Sequence, residues 1–293
     1  MIKSINPKLK KNLFFQFAYL FYQAIRSALR AIQLRSSPSF ACKLQSFFLM
    51  LHMSNLRVSY DKSNNLFCAH EDKFKWYFSE MSRGFDFYAR GLIQRGQRLS
   101  KSYCLENIQF NKSDIIIDCG TNYADLFIGL SDKINEVNYI TFEPSPREFS
   151  CIKKNVPNAK NYNFALSNKI GKVPLYISSA TGDSSLIEPR VFTDIIIINV
   201  TTLDQFFLEN SIKKCKLIKI EAEGLEPEIL EGAQNSLSKC EYVALDGGRE
   251  RGVNSDLTLH TCNNLLIKSG FEMVDINGKV YRALYRNTAF INK

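Results

Sequence analysis

The chain has 293 residues, 45% of them hydrophobic, a formal net charge of +9 and eight cysteines. That is enough apolar material for one full catalytic core plus an appendage. Successive cysteines are never closer than the 15 residues from Cys104 to Cys119, which excludes CxxC zinc or redox pairs and suits a reducing cytosol.

Charge is unevenly placed. Residues 1–64 carry ten Lys and Arg against the single acid Asp61, while the 28 basic and 28 acidic residues that follow cancel. A boundary is therefore expected near Ser63, Asn64 and Asn65. Within the first part, Leu13, Phe14, Phe17, Leu20, Phe21, Ala24, Ile25, Ala28, Leu29 and Ile32 recur at helical spacing. The longest uncharged run, Asn12 to Ile25, is 14 residues with two glutamines, too short and too polar to span a bilayer. Arg26 and Arg30 stand where a signal peptide would need small residues for cleavage. A basic amphipathic helix has two uses: packing on the core or on a second subunit of a homodimer, or adsorbing through residues 1–35 to an anionic membrane. The expected location is cytoplasmic, with peripheral contact at the inner membrane surface.

Ser36, Ser37 and Pro38 break that helix before a second apolar stretch, Phe40 to Met53. Residues 65–112 then read as a helical segment capping the core, with Trp76, Tyr77, Phe85, Phe87 and Tyr88 as packing residues and Arg83, Arg90, Arg95 and Arg98 between them. The catalytic unit is expected over residues 113–293.

Its first part is the most informative stretch. An apolar strand ends at Asp118, a turn with Gly120 follows, then a helix, and a second strand ends at Glu143, 25 residues after Asp118. Ligands of open α/β sheets lie outside the carboxyl ends of the strands, where an acid at the second tip can accept both hydroxyls of a ribose. A pyrophosphate loop needs several glycines, whereas DCGTNYAD has one. Asp118 and Asn122 suit a cofactor with an amino acid end and a sulfonium, which describes S-adenosylmethionine. By itself, one glycine after an apolar strand also fits an ordinary turn.

Ser145-Pro146-Arg147-Glu148 has the order of a helix start, with an N-cap serine, proline at the first position and glutamate at the third. Strands are expected at 161–166, 195–200, 217–221 and 241–246, and a helix at about 256–269. Asn277-Gly278 then predicts a terminal hairpin, which would add an antiparallel strand to a mostly parallel sheet.

Residues 114–293 resemble the FkbM-type methyltransferase family through a series of blocks in the family's order. These are DCGTN at 118–122, FEPSPREF at 142–149, FALSNKIGKVPLY at 164–176 with SSL at 184–186, TTLD at 201–204, IKIEAEGLEPEILEGA at 218–233 and LDGGRERG at 245–252. Two positions depart from the family pattern: Ala124 replaces a second loop glycine, and Glu221 stands where aspartate is usual. The resemblance implies a class I, Rossmann-like α/β fold, S-adenosylmethionine as cofactor and an acceptor hydroxyl, typically on a sugar of a surface glycan or a secondary metabolite. On it, Asp118, Gly120, Asn122, Glu143, Ser145 and Ala165 would bind cofactor.

Methyl transfer to oxygen needs alignment and one base. The strand-tip acids Glu221 and Asp246 are the catalytic candidates, with Glu223, Arg249, Arg251 and His260 around the acceptor. Glu221 with Asp246 could instead share a divalent cation, although spacing supplies no third ligand. The competing reading is a non-catalytic binding or scaffold protein that keeps the fold, which Ala124 and Glu221 would permit. No nucleic-acid partner is expected, because the surplus positive charge lies outside the catalytic unit and no NPPY-type tetrad occurs.

Overall fold

The computed structural model describes residues 27–51, 54–178 and 184–291. Most of the apolar stripe from Leu13 to Ile32 lies outside them; residues 27–34 are helical, and a second helix runs Pro38–Leu51.

Three strands follow, β1 (Arg57–Asp61), β2 (Leu66–Glu71) and β3 (Phe74–Phe78), as an antiparallel meander. This corrects the expectation that residues 65–112 are helical throughout. Aromatic and apolar residues in LFCAHE and FKWYF favour extended backbone, and Asp72, left-handed at φ 49°, turns β2 into β3. Helices begin only at Met81–Phe87 and Leu92–Ser102. The break in charge at 63–65 is likewise a hairpin turn, since Asp61 pairs with Leu66 across it.

The central sheet contains β4 (Ile116–Cys119), β5 (Tyr139–Phe142) and β6 (Lys160–Tyr162). Beyond the small sheet of β7 (Ala165–Leu166), β8 (Gly171–Ile177) and β9 (Asp194–Thr201), it continues with β10 (Cys215–Ile220) and β11 (Cys240–Asp246). After the short pair β12 (Arg249–Arg251) and β13 (Asp256–Leu257), it closes with β14 (Phe271–Asn277) and β15 (Arg282–Asn287). The spatial order is β14-β15-β11-β10-β4-β5-β6. All neighbours from β11 to β6 are parallel, and β15 runs antiparallel between β11 and β14. This is the class I methyltransferase sheet. Its hairpin turns over residues 278–281 rather than on Asn-Gly alone, because Asn277 still pairs with Arg282. The strand expected at 195–200 belongs to the small sheet beside β8.

Alternation along the strands divides the core into two faces. Ile116, Tyr139, Leu217, Tyr242 and Leu284 point one way, into a cluster with Trp76, Phe78, Tyr88, Leu92 and Tyr103 from the N-terminal elements. Ile117, Ile140, Ile218, Val243 and Ala283 point the other way, against residues of the helices Leu203–Glu209, Glu226–Glu231 and Leu259–Lys268. The N-terminal strands and helices thus cover one face of the sheet from β5 to β15. The order in which strands are added reverses at β4, with β5 on one side and β10 on the other, so the crevice between their carboxyl ends is where such sheets take ligands.

Candidate active site

The loop after β4 is fixed by packing. Gly120 has φ +71°, and a Cβ there would lie 1.7 Å from the Glu221 carbonyl oxygen, so no side chain fits. Its N–H and that of Thr121 both donate to the Phe142 carbonyl, at 3.0 and 3.1 Å. Asn122 and Ala124 are also left-handed, at φ 55° and 64°. A left-handed non-glycine residue costs about 1–2 kcal/mol, which explains why glycine suits position 124; alanine has the smallest side chain that accepts the strain.

Glu143, the residue after β5, is 7% exposed and accepts from the backbone N–H of Asn122 at 2.8 Å and of Ser145 at 3.0 Å, one on each oxygen. Each oxygen of a carboxylate has two lone-pair sites, so one remains on each for a ribose hydroxyl. Burial, then the charge of Glu148, pushes the Glu143 carboxyl up to about 8. The residues here fit an adenosine-type ligand: a buried double acceptor beside a tight loop, with apolar Phe142, Ala165, Leu166 and Ile229 in the same cavity wall. Ser145 caps the helix Pro146–Asn155 as expected in position, but its hydroxyl donates to the Glu148 carboxylate instead of accepting from backbone.

On the other side of the loop lies a network of charge. Lys219, 2% exposed on β10, pairs with Asp118 at 3.0 Å and Glu221 at 3.1 Å, and donates to the Gly120 carbonyl at 2.8 Å. Burial opposes its charge, but Asp118 and Glu221 outweigh that and hold the ammonium above its usual range. Arg282 bridges Glu221 (2.9 Å) and Asp246 (2.6 Å), donates to the Ser102 hydroxyl at 2.8 Å, and lies 4.4 Å from the Tyr103 ring centroid. The Tyr103 hydroxyl donates to Glu221 at 2.6 Å. Burial disfavours the ionised Glu221, yet Lys219 and Arg282 hold its carboxyl well below the usual range; Asp246 is raised, by burial and then by Glu221. The place between Glu221 and Asp246 that a shared cation would take is filled by the Arg282 guanidinium. Among the described residues no group of three or more His, Cys, Asp and Glu is arranged to hold a metal.

Asp118, Gly120, Asn122, Glu143, Ser145, Ala165, Glu221 and Glu223 line one cavity. Asp118 is 1% exposed and turned inward, to the Tyr139 hydroxyl and Lys219. Asp246, Arg249, Arg251 and His260 are not in that wall. Arg251 pairs with Glu228 at 2.6 Å and His260 is exposed on its helix. Sequence reasoning missed Lys219, Arg282, Tyr103 and Asp125. Asp125 accepts from Trp76 Nε1 (2.9 Å), the Tyr88 hydroxyl (2.8 Å) and Arg95 Nε (2.7 Å), tying the N-terminal cover to the helix after the loop. A lysine between two isoleucines, IKI, is the one available signal; the others depend on contacts across 30 to 180 residues.

Residues 118–248 match the methyltransferase FkbM domain family. The chain is 22% identical over 209 residues to the 2-O-methyltransferase NoeI of Sinorhizobium fredii (strain NBRC 101917 / NGR234), covering 64% of this chain and 84% of that protein. Among solved structures it is similar to M. capricolum TrmK in complex with S-adenosyl-homocysteine, at 16% identity and TM-score 0.34, over 65% of this chain and 68% of that one. It is also similar to a SAM dependent methyltransferase from Aquifex aeolicus, at 12% identity and TM-score 0.37, over 66% and 95%.

Proposed function

We propose, from the premise that residues 118–248 form a methyltransferase FkbM domain, that this S-adenosylmethionine-dependent enzyme methylates a hydroxyl group of a sugar. The observation that carries the reading is the pair of strand-tip carboxylates on one cavity, Glu143 as double acceptor and Glu221 held ionised 3.1 Å from Lys219. The 2-O-methyltransferase relative supports oxygen as the acceptor atom. The cofactor, when bound, supplies the electrophilic methyl group. Glu143 would hold its ribose, and the Gly120 loop, with Asn122 and Ser145, would enclose its other end.

Glu221 already takes three donors, Arg282 on Oε1 and Tyr103 and Lys219 on Oε2. One lone-pair site on Oε1 is left, enough to accept the hydrogen bond of an acceptor hydroxyl. A carboxylate this strongly stabilised is a weak base. That suffices where the proton becomes acidic only as the new C–O bond forms, so positioning dominates over basicity. Asp246, reached through Arg282, would share the resulting charge, while Glu223 contacts the acceptor at the cavity wall.

The test is methyl transfer from radiolabelled cofactor to a panel of sugars. Glu221→Gln should lower kcat about 10²-fold or more with cofactor affinity unchanged, and Asp246→Asn should lower it less. Full turnover in both variants would reject the assignment.

A peripheral place at an anionic membrane is supported by the N-terminal helices, which expose Ile32, Leu34, Phe40, Phe47 and Met50 beside Arg30, Arg35 and Lys43. Among the described residues no helix is long and apolar enough to cross a membrane. Salt-sensitive flotation with phosphatidylglycerol vesicles tests that placement; no flotation at low salt would refute it.

A further inference from the structure

Two of the three groups that hold Glu221 lie outside the matched domain, Tyr103 before residues 118–248 and Arg282 after them. The last torsion of a glutamate is broad and roughly two-fold, so partners rather than a rotamer set the plane of its carboxylate. Here Arg282 donates to Oε1 at 2.9 Å, while the Tyr103 hydroxyl donates to Oε2 at 2.6 Å beside Lys219 at 3.1 Å. Lys219 is shared with Asp118 and with the Cys119 and Gly120 carbonyls, so the cofactor loop fixes its place. The phenol of Tyr103 has one proton to donate, and Glu221 receives it.

Tyr103 is itself rigidly placed. It is fully buried, and its ring centroid lies 4.4 Å from the Arg282 guanidinium and 5.8 Å from the Lys219 ammonium. It caps the helix Leu92–Ser102, whose last residue accepts from Arg282 through its hydroxyl at 2.8 Å. That helix crosses Asp125–Leu130 so closely that a Cβ on Gly96 would lie 2.5 Å from the Gly129 nitrogen, and one on Gly129 2.4 Å from the Gly96 carbonyl oxygen. Arg95 adds an ion pair with Asp125 at 2.7 Å. The phenol thus reaches Glu221 from a body locked to the helix that follows the cofactor loop. Burial, then the charge of Glu221, holds the phenol above its usual range, so it stays a donor.

We propose that Tyr103 is a positioning residue for methyl transfer, its hydroxyl holding the Glu221 carboxylate in the plane that leaves the remaining lone-pair site of Oε1 to the acceptor hydroxyl. This rests on the reading of Glu221 as the acid that aligns the acceptor. It makes the N-terminal cover part of the reaction machinery, acting through Glu221 and touching neither cofactor nor acceptor.

The experiment is a double-mutant cycle on the full chain with Tyr103→Phe and Glu221→Gln. Phenylalanine keeps the ring and its contacts with both cations and removes only the hydroxyl. With the sugar panel as acceptor, Tyr103→Phe should lower kcat about tenfold, with the KM for S-adenosylmethionine and the affinity for S-adenosylhomocysteine unchanged. In the Glu221→Gln background the same change should cost nothing further, because the group it acts through is gone. Infrared titration of the Glu221 carboxylate, identified by its loss in Glu221→Gln, needs no acceptor; removing a donor should move its protonation to higher pH. Parent turnover in Tyr103→Phe, a loss that adds in full to that of Glu221→Gln, or a carboxylate titration that does not move would overturn the proposal. Full turnover in Glu221→Gln would instead remove the reading on which it rests.

Discussion

Glu143 and Glu221 each follow the last residue of a parallel strand, on β5 and β10, and each faces the same cavity. Their environments drive them in opposite directions. Glu143 has only backbone donors and another carboxylate, Glu148, beside it, so burial prevails and its carboxyl titrates near 8. Glu221, half-buried, is surrounded by Lys219, Arg282 and Tyr103, and stays ionised far into acid. Two like residues at like places thereby acquire unlike tasks. Under the proposed function, one would exchange its proton for a ligand's hydroxyls, and the other would hold a permanent charge where the acceptor is aligned.

The largest effect should come from the charged side. Lys219→Met leaves Asp118 buried without its cation and removes the donor to the Gly120 carbonyl. A broken buried pair costs about 3–5 kcal/mol, and thermal unfolding should drop by about 10 °C. A variant as stable as the parent would show that the network is not what holds the loop. The same network has a pH signature. Because the Glu221 pKa is depressed below its unfolded value of 4.5, its stabilisation is fully present above that value and is lost as pH falls below it.

A smaller loss is expected from Glu143→Gln, which removes the charge from two hydrogen bonds to a ribose and should weaken S-adenosylhomocysteine binding by about 2–3 kcal/mol. In stability the sign reverses. A carboxyl raised to about 8 makes the parent fold less stable as pH rises from 4.5 toward 8, so the variant should lose less over that window in urea titrations. An identical pH slope in both proteins would show that Glu143 is not the group responsible.

The smallest effect concerns the loop. Ala124 sits at φ 64° and is fully buried, so Ala124→Gly relieves backbone strain and gives up a buried methyl. These terms, each about 1 kcal/mol, nearly cancel. Stability within about 1 kcal/mol of the parent is expected, whereas a large loss would mean that the methyl group's packing outweighs the strain.

The same contrast explains what could be read from the chain. The cofactor half is local: Asp118, Gly120, Asn122 and Glu143 fall in one β-α-β unit, whose strand and turn spacing carries the information. The central sheet, including its terminal hairpin, followed from alternating patterns of the same kind. The other half joins residues far apart, such as Ser102 to Arg282 and Tyr103 to Glu221, and no local period encodes those pairs. The strands at 66–78 were obscured because aromatic residues serve helix and strand cores alike; alternation over five or six residues is a short signal.

The central claim, that Glu143 receives the ribose of S-adenosylmethionine, is tested most directly by calorimetric binding of S-adenosylhomocysteine across pH 6 to 9 in buffers of different ionisation enthalpy. Below pH 8 the parent should release close to one proton on binding, and its affinity should rise with pH, by up to about tenfold per unit, then level off above 8. Glu143→Gln should bind more weakly with little pH dependence. No binding at millimolar S-adenosylhomocysteine, binding of NADH in its place, or an unchanged proton count in the variant would contradict the account.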